Sequence, residues 1–294
     1  APSGQIKKRH CTSDLGADYK KQPFVKPVDI VSSSNFSLFE ATYNELDRGF
    51  KSKKECERER EEFKKFLKNE LKNKRNVLIG VFAQARQQTM MEFLYRSFKD
   101  DKDFNYPIYV DGVLGLTLNN CYLSVLEGEY WKEVMSWENF KYISSYEKSM
   151  NVACNKSEIS IKISSSGMFS NGRIMNHVKT MIEDSNCTFV LCGYQGEGTV
   201  GRELQRTDNT EVKIEGIMFK KKCKIYQMNT WSSHIMPMEN INYMSQINTP
   251  LIVINHSDEE HKYEFRDIVE SELRLRNNSA KVVCASDDNN IFYI

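Results

Sequence analysis

The stretch from Ser164 to Leu204 constrains the fold of this chain more than any other, because it uses one device twice. An apolar run at 159–163 enters a small-residue turn at 164–172, and a helix-forming segment opens near Arg173. A second run at 188–192 enters the turn 193–198, and a second helical segment opens near Thr199. A helix N-terminus presents unpaired N–H groups and partial positive charge, which suits an anionic oxygen. Two such termini in succession suggest a surface that grips a phosphate chain at more than one point. Two ordinary turns give the same pattern, because glycine supplies positive φ in any tight turn. The pattern alone leaves both readings open.

The rest of the chain continues the alternation. Residues 52–74 are predicted as a helix, with Phe63, Phe66, Leu67 and Leu71 at helical spacing on a background of Glu, Lys and Arg. The charged positions read as a solvated face. A buried strand is predicted over 77–82, an amphipathic helix over 85–98 and a strand over 106–112. Residues 113–150 read as mainly helical, with Trp131 and Trp137 in the core. Past the glycine turns, 211–217 and 222–228 read as two strands paired with each other. A helix follows over 236–246, a strand over 250–256, a helix over 261–275 and a strand over 281–286. The opening residues read as strands and loops around 11–13 and 37–39. Short apolar runs alternating with helices predict βαβ units and a parallel sheet.

The 294 residues suffice for one large or two medium domains, and 40% hydrophobic against 28% charged residues predicts a packed core, not disorder. A net charge of +1 means that any nucleic-acid binding depends on a local patch. The clusters at 7–9 and 220–224 are the candidates for steering. No run approaches the roughly 18 apolar residues of a membrane span, and the opening residues lack the apolar core of a signal peptide. No membrane partner and a cytoplasmic location are expected. The eight cysteines show no CxxC spacing and mostly lie in apolar runs, so they read as reduced core residues of a cytosolic protein.

Ser166-Gly167-Met168, Gly172-Arg173, Gly193-Tyr194-Gln195 and Glu197-Gly198-Thr199 resemble motifs of the β-CASP ribonuclease family, a branch of the metallo-β-lactamase superfamily. The resemblance covers nearly the whole chain. It implies an α/β protein: a partial αββα metallo-β-lactamase sandwich with an inserted β-CASP parallel-sheet domain. Residues 1–44 would begin the lactamase domain, 45–215 would form the β-CASP domain, and 216–294 would return to the lactamase domain. It implies a zinc-dependent ribonuclease that hydrolyses RNA phosphodiesters by a two-metal mechanism. Single-stranded RNA, or alternatively DNA, would lie between the domains. Ser165, Ser166, Gly167, Met168, Arg173, Gly193, Tyr194, Gln195, Gly198 and Thr199 would face it.

Two zinc ions lower the pKa of a water and clamp phosphoryl oxygens, and imidazole and carboxylate groups suit them as ligands. Asp14 resembles the family's metal-bridging Asp; an Asp before glycine is also a common turn cap. Glu40 resembles the carboxylate that orients a catalytic histidine, with Ala41 in place of the usual Ser. His234 resembles the histidine that protonates the leaving oxygen or holds the scissile phosphate, and Met236 replaces the Asp expected beyond it. His256, 22 residues after His234, resembles a metal ligand at a strand end, with Ser257 where glycine is usual. His177 has a counterpart in some relatives and would face the substrate groove, while His10 and His261 would point to solvent.

The family's first metal motif, His-x-His-x-Asp-His, does not occur in this sequence. Asp14 and His256 are two ligands where a stable zinc site takes about four. The chain is therefore expected to be the C-terminal part of such an enzyme, inactive alone. Its partners would include the missing N-terminal metallo-β-lactamase half and, as an open alternative, a second copy in a homodimer. The competing reading is a non-catalytic RNA-binding or scaffold homologue of the same fold.

Overall fold

Parallel strand pairing organises the protein at both levels of its architecture. The computed structural model describes residues 9–11, 36–40, 53–125, 128–228, 237–257 and 259–285. Two compact units emerge, Lys53–Trp231 and the pair Ala1–Ser52 with Ser232–Ile294.

The central unit opens with helix α1 (Lys53–Lys72) and strand β3 (Asn76–Gly80), the strands β1 (Arg9–Cys11) and β2 (Phe36–Glu40) lying earlier in the chain. It continues through α2 (Arg86–Phe98), β4 (Ile108–Asp111), α3 (Val113–Val125), α4 (Gly128–Met135), β5 (Phe140–Ile143) and α5 (Tyr146–Cys154). Then come β6 (Ile161–Ser164), α6 (Ile174–Met181), β7 (Cys187–Cys192), α7 (Val200–Gln205), β8 (Glu211–Ile214), β9 (Ile217–Lys220) and β10 (Lys224–Met228). Six strands form one sheet in the order β10-β7-β3-β6-β4-β5, every pair parallel. A parallel sheet is covered on both faces, and its strands are accordingly apolar runs. All five residues of β3 and all six of β7 are buried.

The alternation of side chains along each strand divides the core into two layers. Val77, Ile79, Val110, Ile163 and Val190 pack with the apolar stripes of α1, α2 and α4. Leu78, Phe189 and Leu191 pack on the other face with Ile174, Val178 and Met181 of α6 and Leu204 of α7. The stripe of α1 is the one its spacing predicts: Phe63, Leu67 and Leu71 are buried, and Phe66 stacks on Tyr226 with centroids 4.0 Å apart. Trp131 is buried and donates its indole N–H to Asn119 O at 3.0 Å, whereas Trp137 is partly buried beside Phe104 and Phe140. Among the described cysteines, Cys187, Cys192 and Cys223 are buried, but Cys121 and Cys154 are exposed.

Residues 113–150 are mainly helical, as expected, and also contain the edge strand β5, too short to carry a strand signal beside its helical neighbours. One expectation needs correction. The segments 211–217 and 222–228 do not pair with each other. β8 forms an antiparallel hairpin with β9, while β10 lies parallel to β7, with Lys224 opposite Thr188. That pairing draws β8–β10 into the central unit, which extends to Trp231.

The second unit is built on a four-stranded, all-parallel sheet of order β1-β2-β11-β12, with β11 at Leu251–Asn255 and β12 at Lys281–Cys284. Helices α8 (Pro237–Met244) and α9 (Glu259–Leu275) bury Tyr243, Met244, Phe265 and Val269 with Phe39, Ile252 and Ile254. Phe39 meets Tyr243 edge-on at 5.9 Å.

One glycine controls the middle of the large sheet. A Cβ on Gly80, the last residue of β3, would lie 2.2 Å from the ring of Phe169, which is fully buried. Gly80→Ala is expected to destabilise the chain by about 1–3 kcal/mol, the range for overpacking a filled core. Urea denaturation followed by far-UV circular dichroism measures it.

Candidate functional site

The two glycine turns end up on the same edge of the large sheet because β6 and β7 run parallel through β3. The loop after β3 leaves toward α2 on one face, whereas the turn after β6 leaves toward α6 on the other. Adjacent strands whose connections depart to opposite faces open a crevice at the carboxyl edge, the usual ligand position in open α/β sheets.

The turns are joined to each other. Gln195 Nε2 donates to Gly167 O at 3.0 Å and Gly193 O at 3.3 Å, and Gly201 N donates to Met168 O at 3.0 Å. Gly201 is required for this approach, since a Cβ there would lie 1.7 Å from Gln195 Oε1 and 2.8 Å from Met168 O. Within the first turn, Ile174 N donates to Ser165 O at 3.1 Å and Ser170 N to Ser166 Oγ at 3.3 Å. Gly172 has φ +76° and closes the turn where a side chain would strain it.

This geometry changes the expected role of the helix starts. Thr199 accepts from Arg202 N at 3.2 Å, so it caps α7, a helix of only six residues. Ile174 N and Gly201 N, at the first turns of α6 and α7, already serve Ser165 O and Met168 O. Their N–H groups hold the turns together. The surface offered outward comes from the turns themselves, where Ser165, Ser166, Met168 and Tyr194 are half-buried, Gly198 is exposed, and Gly167, Gly193 and Gln195 are buried.

Asp111, at the end of β4 and fully buried, braces the first turn from below. Its carboxylate accepts from Arg173 Nη1 at 3.1 Å and from Ser149 Oγ, and lies 2.8 Å from His177 Nε2. Its carbonyl accepts from Ser164 Oγ at 2.9 Å. The guanidinium of Arg173 also donates to Ile143 O at 3.0 Å and Ser144 O at 2.9 Å, so it is turned into the fold as a tether. His177 is fully buried rather than facing a groove, because Asp111 takes its ring nitrogen. Burial works to raise the Asp111 pKa, but the bonds from His177, Ser149 and Arg173 outweigh it and hold the carboxyl below its ordinary value. Asp111 was not singled out from the sequence, although an acidic residue closing an apolar strand before Gly112 was the available signal.

The basic cluster at 220–224 lies at the opposite edge. β10 starts there, and parallel pairing puts its start beside the start of β7. Lys224 Nζ donates to the buried Glu70 at 2.8 Å, and Lys221 Nζ donates to Arg206 O. Lys221 and Lys224 are thus engaged in bracing the fold.

In the second unit, Glu40 ends β2 opposite Asn255 of β11, so Glu40 and His256 stand at the same sheet edge, one register position apart. His256 is exposed and has φ +59°. Asp14 and His234 lie outside the described residues. Among the described residues, no group of three or more His, Cys, Asp or Glu side chains is placed to hold a metal ion. His256 alone does not make a zinc ligand set.

Residues 87–204 match the family model of the Beta-Casp domain. The chain thus carries a Beta-Casp domain, the mark of the β-CASP branch of the metallo-β-lactamase superfamily. Both turns and the Asp111 brace fall inside the matched span. Transcription termination factor FttA of Lokiarchaeum sp. is 23% identical over 261 residues, covering 83% of this chain and 40% of that protein. An RNase J-like protein of Methanocaldococcus jannaschii is 30% identical over 146 residues, covering 46% of this chain and 32% of its own length. Ribonuclease TTHA0252 of Thermus thermophilus is 24% identical over 262 residues, covering 85% of this chain and 57% of its own length. The chain spans less than two thirds of the length of each of these relatives. Metal dependence is a property of the family. No helix among the described residues is long and apolar enough to cross a membrane.

The depressed pKa of Asp111 has a definite sign in stability. A carboxyl whose folded pKa lies below its unfolded one contributes stability above the unfolded value, and loses it as pH falls through the folded value. Asp111→Asn is expected to cost about 3 kcal/mol at neutral pH, as for one partner removed from a buried ion pair. It should also flatten the loss of stability below about pH 4, the ordinary carboxyl range. Urea midpoints from pH 2.5 to 7 test both.

Proposed function

We propose that this chain supplies the RNA-holding β-CASP lobe, and part of the metal-bearing domain, of a zinc-dependent ribonuclease. The observation that carries the proposal is the bonding of the two turns into one ledge by Gln195–Gly167 and Gly201–Met168. Two unconnected turns would be ordinary loop chemistry. A braced ledge at the carboxyl edge of a parallel sheet is a preorganised surface, which reduces the ordering cost of binding a flexible strand. The names of relatives point the same way, one being a ribonuclease and one RNase J-like.

In this reading a single strand of RNA runs along the ledge and meets Ser165, Ser166, Met168, Tyr194 and Gly198. Hydroxyl and turn N–H groups contact the phosphates. Gly167, Gly193, Gln195, Arg173 and Thr199 keep the ledge in shape. Asp14, Glu40, His234 and His256 belong to the hydrolytic end. The metal-ligand set is completed by a polypeptide carrying His-x-His-x-Asp-His, so this chain binds RNA without cutting it.

Ser166→Asp places a carboxylate on the ledge and should weaken binding of a short single-stranded RNA about tenfold, or about 1.4 kcal/mol. Lys220→Glu, at the opposite edge, should leave it unchanged. Filter binding at several salt concentrations checks this, and the reverse pattern would move the interface to the other edge.

EDTA should not alter RNA binding by the chain alone. Mixing the chain with a polypeptide bearing the missing motif and zinc should produce cleavage, and His256→Ala should remove that cleavage while sparing binding. Gel assays of a labelled RNA decide it. Cleavage that persists in His256→Ala would remove this residue from the metal site, and no cleavage with any such polypeptide would favour a non-catalytic RNA-binding homologue.

A further inference from the structure

Phe82 is an aromatic side chain left open at the edge where the ledge forms. It follows β3 and is 43% exposed in a unit whose other phenylalanines mostly lie in the core. One side of its ring lies against the first glycine turn. A Cβ on Gly167 would lie 3.2 Å from two of its ring carbons and 3.1 Å from its backbone N. Its carbonyl accepts from Gln87 N at 3.0 Å, which ties the residue to the start of α2. The ring is therefore held by packing and backbone bonding while 43% of the residue stays exposed at the sheet edge that carries the turns. Across Gly112, whose added Cβ would meet Ser165 Oγ at 3.3 Å, α3 begins with Val113 and Leu114, which are 53% and 63% exposed. The crevice thus sets apolar surface beside the hydroxyls of the ledge.

We propose that Phe82 is a stacking platform for one nucleobase of a single strand held on the ledge, an inference that rests on the RNA reading above. A fixed ring beside hydroxyl-bearing turns fits a molecule with flat apolar faces strung on an anionic backbone. Nucleic-acid bases in single strands are such faces, and stacking on aromatic side chains tolerates any sequence. A strand used this way cannot be in a duplex, since its base must be free to leave its neighbours.

The test uses the 294-residue chain and three oligonucleotides of equal length: oligoadenylate, the same strand with one 2-aminopurine, and an abasic strand with the same phosphates. Wild type should bind oligoadenylate about tenfold more tightly than the abasic strand, and 2-aminopurine fluorescence should be quenched on binding. Phe82→Ala and Phe82→Leu should lose that tenfold advantage and the quenching, with abasic binding unchanged. Phe82→Trp should keep both. Thermal melting of each variant confirms that the exposed position leaves the fold intact. Equal binding of abasic and base-bearing strands by wild type, or full affinity and quenching in Phe82→Leu, would overturn the stacking role while leaving RNA binding in place. Failure of wild type to bind either strand would overturn the RNA reading and the stacking role together.

Discussion

The ring of Phe169 lying across the end of β3 is the contact on which the carboxyl edge depends. β6 and β7 are not neighbours, because β3 runs between them, so their turns start roughly 10 Å apart at ordinary strand spacing. The first turn reaches the second by sending Phe169 over Gly80, where no side chain stands in the way. The ring then joins the core on the α6 face, stacked on Phe189 with centroids 6.0 Å apart. Once it is seated, Gly167 O and Met168 O come within reach of Gln195 and Gly201. A turn that would otherwise be a mobile loop is pinned by a buried aromatic at its centre.

Asp111 supplies the second constraint, from the other side. Buried carboxylates are costly unless their oxygens are fully engaged. This one is engaged by an arginine and a histidine from the segment that follows the turn, and by a serine of α5. The consequence is directional: β4, α5 and α6 are locked to one another at a single point, and the start of α6 sets where Ser165 and Ser166 stand. Residues that look like ligand contacts in sequence, Arg173 above all, spend their polar groups on this lock. The motif is kept together by structural demand as much as by anything it touches outside.

How much of this was legible in the sequence follows from the range of the interactions. Strands and helices with long, regular apolar patterns, such as α1, β3 and β7, could be read because the signal is local. So could the family, because its motifs are contiguous residues. The partner of β10 could not be read, since 222–228 is equally compatible with an antiparallel hairpin to its predecessor and a parallel edge on β7; only the burial of β7 on both faces decides between them. The inward turn of Arg173 was hidden for the same reason. Its partners, Asp111, Ile143 and Ser144, are remote in sequence, and a guanidinium beside a glycine turn reads equally well as a phosphate contact. The burial of His177 is hidden in the same way, because an exposed and a buried position differ by one register step along a short helix.

Charge placement bears on what kind of grip the edge can exert. The chain carries a net charge of only +1, and cations near the turns are largely committed: Arg173 to Asp111, and Arg202 and Arg206 to Glu197. The lysines at 220–224 sit at the far edge. A strand held on the ledge as proposed would therefore release few counterions, and its affinity would fall less steeply with salt than in a groove lined by free lysines. What remains is short-range: hydroxyls, turn amides and the exposed side chain of Phe82. Such contacts are weak in sum over a long duplex, whose bases are sequestered, and strong only where bases and phosphates are both accessible. On the proposed RNA reading, the same arrangement that denies the edge a strong electrostatic field would favour single strands over duplexes.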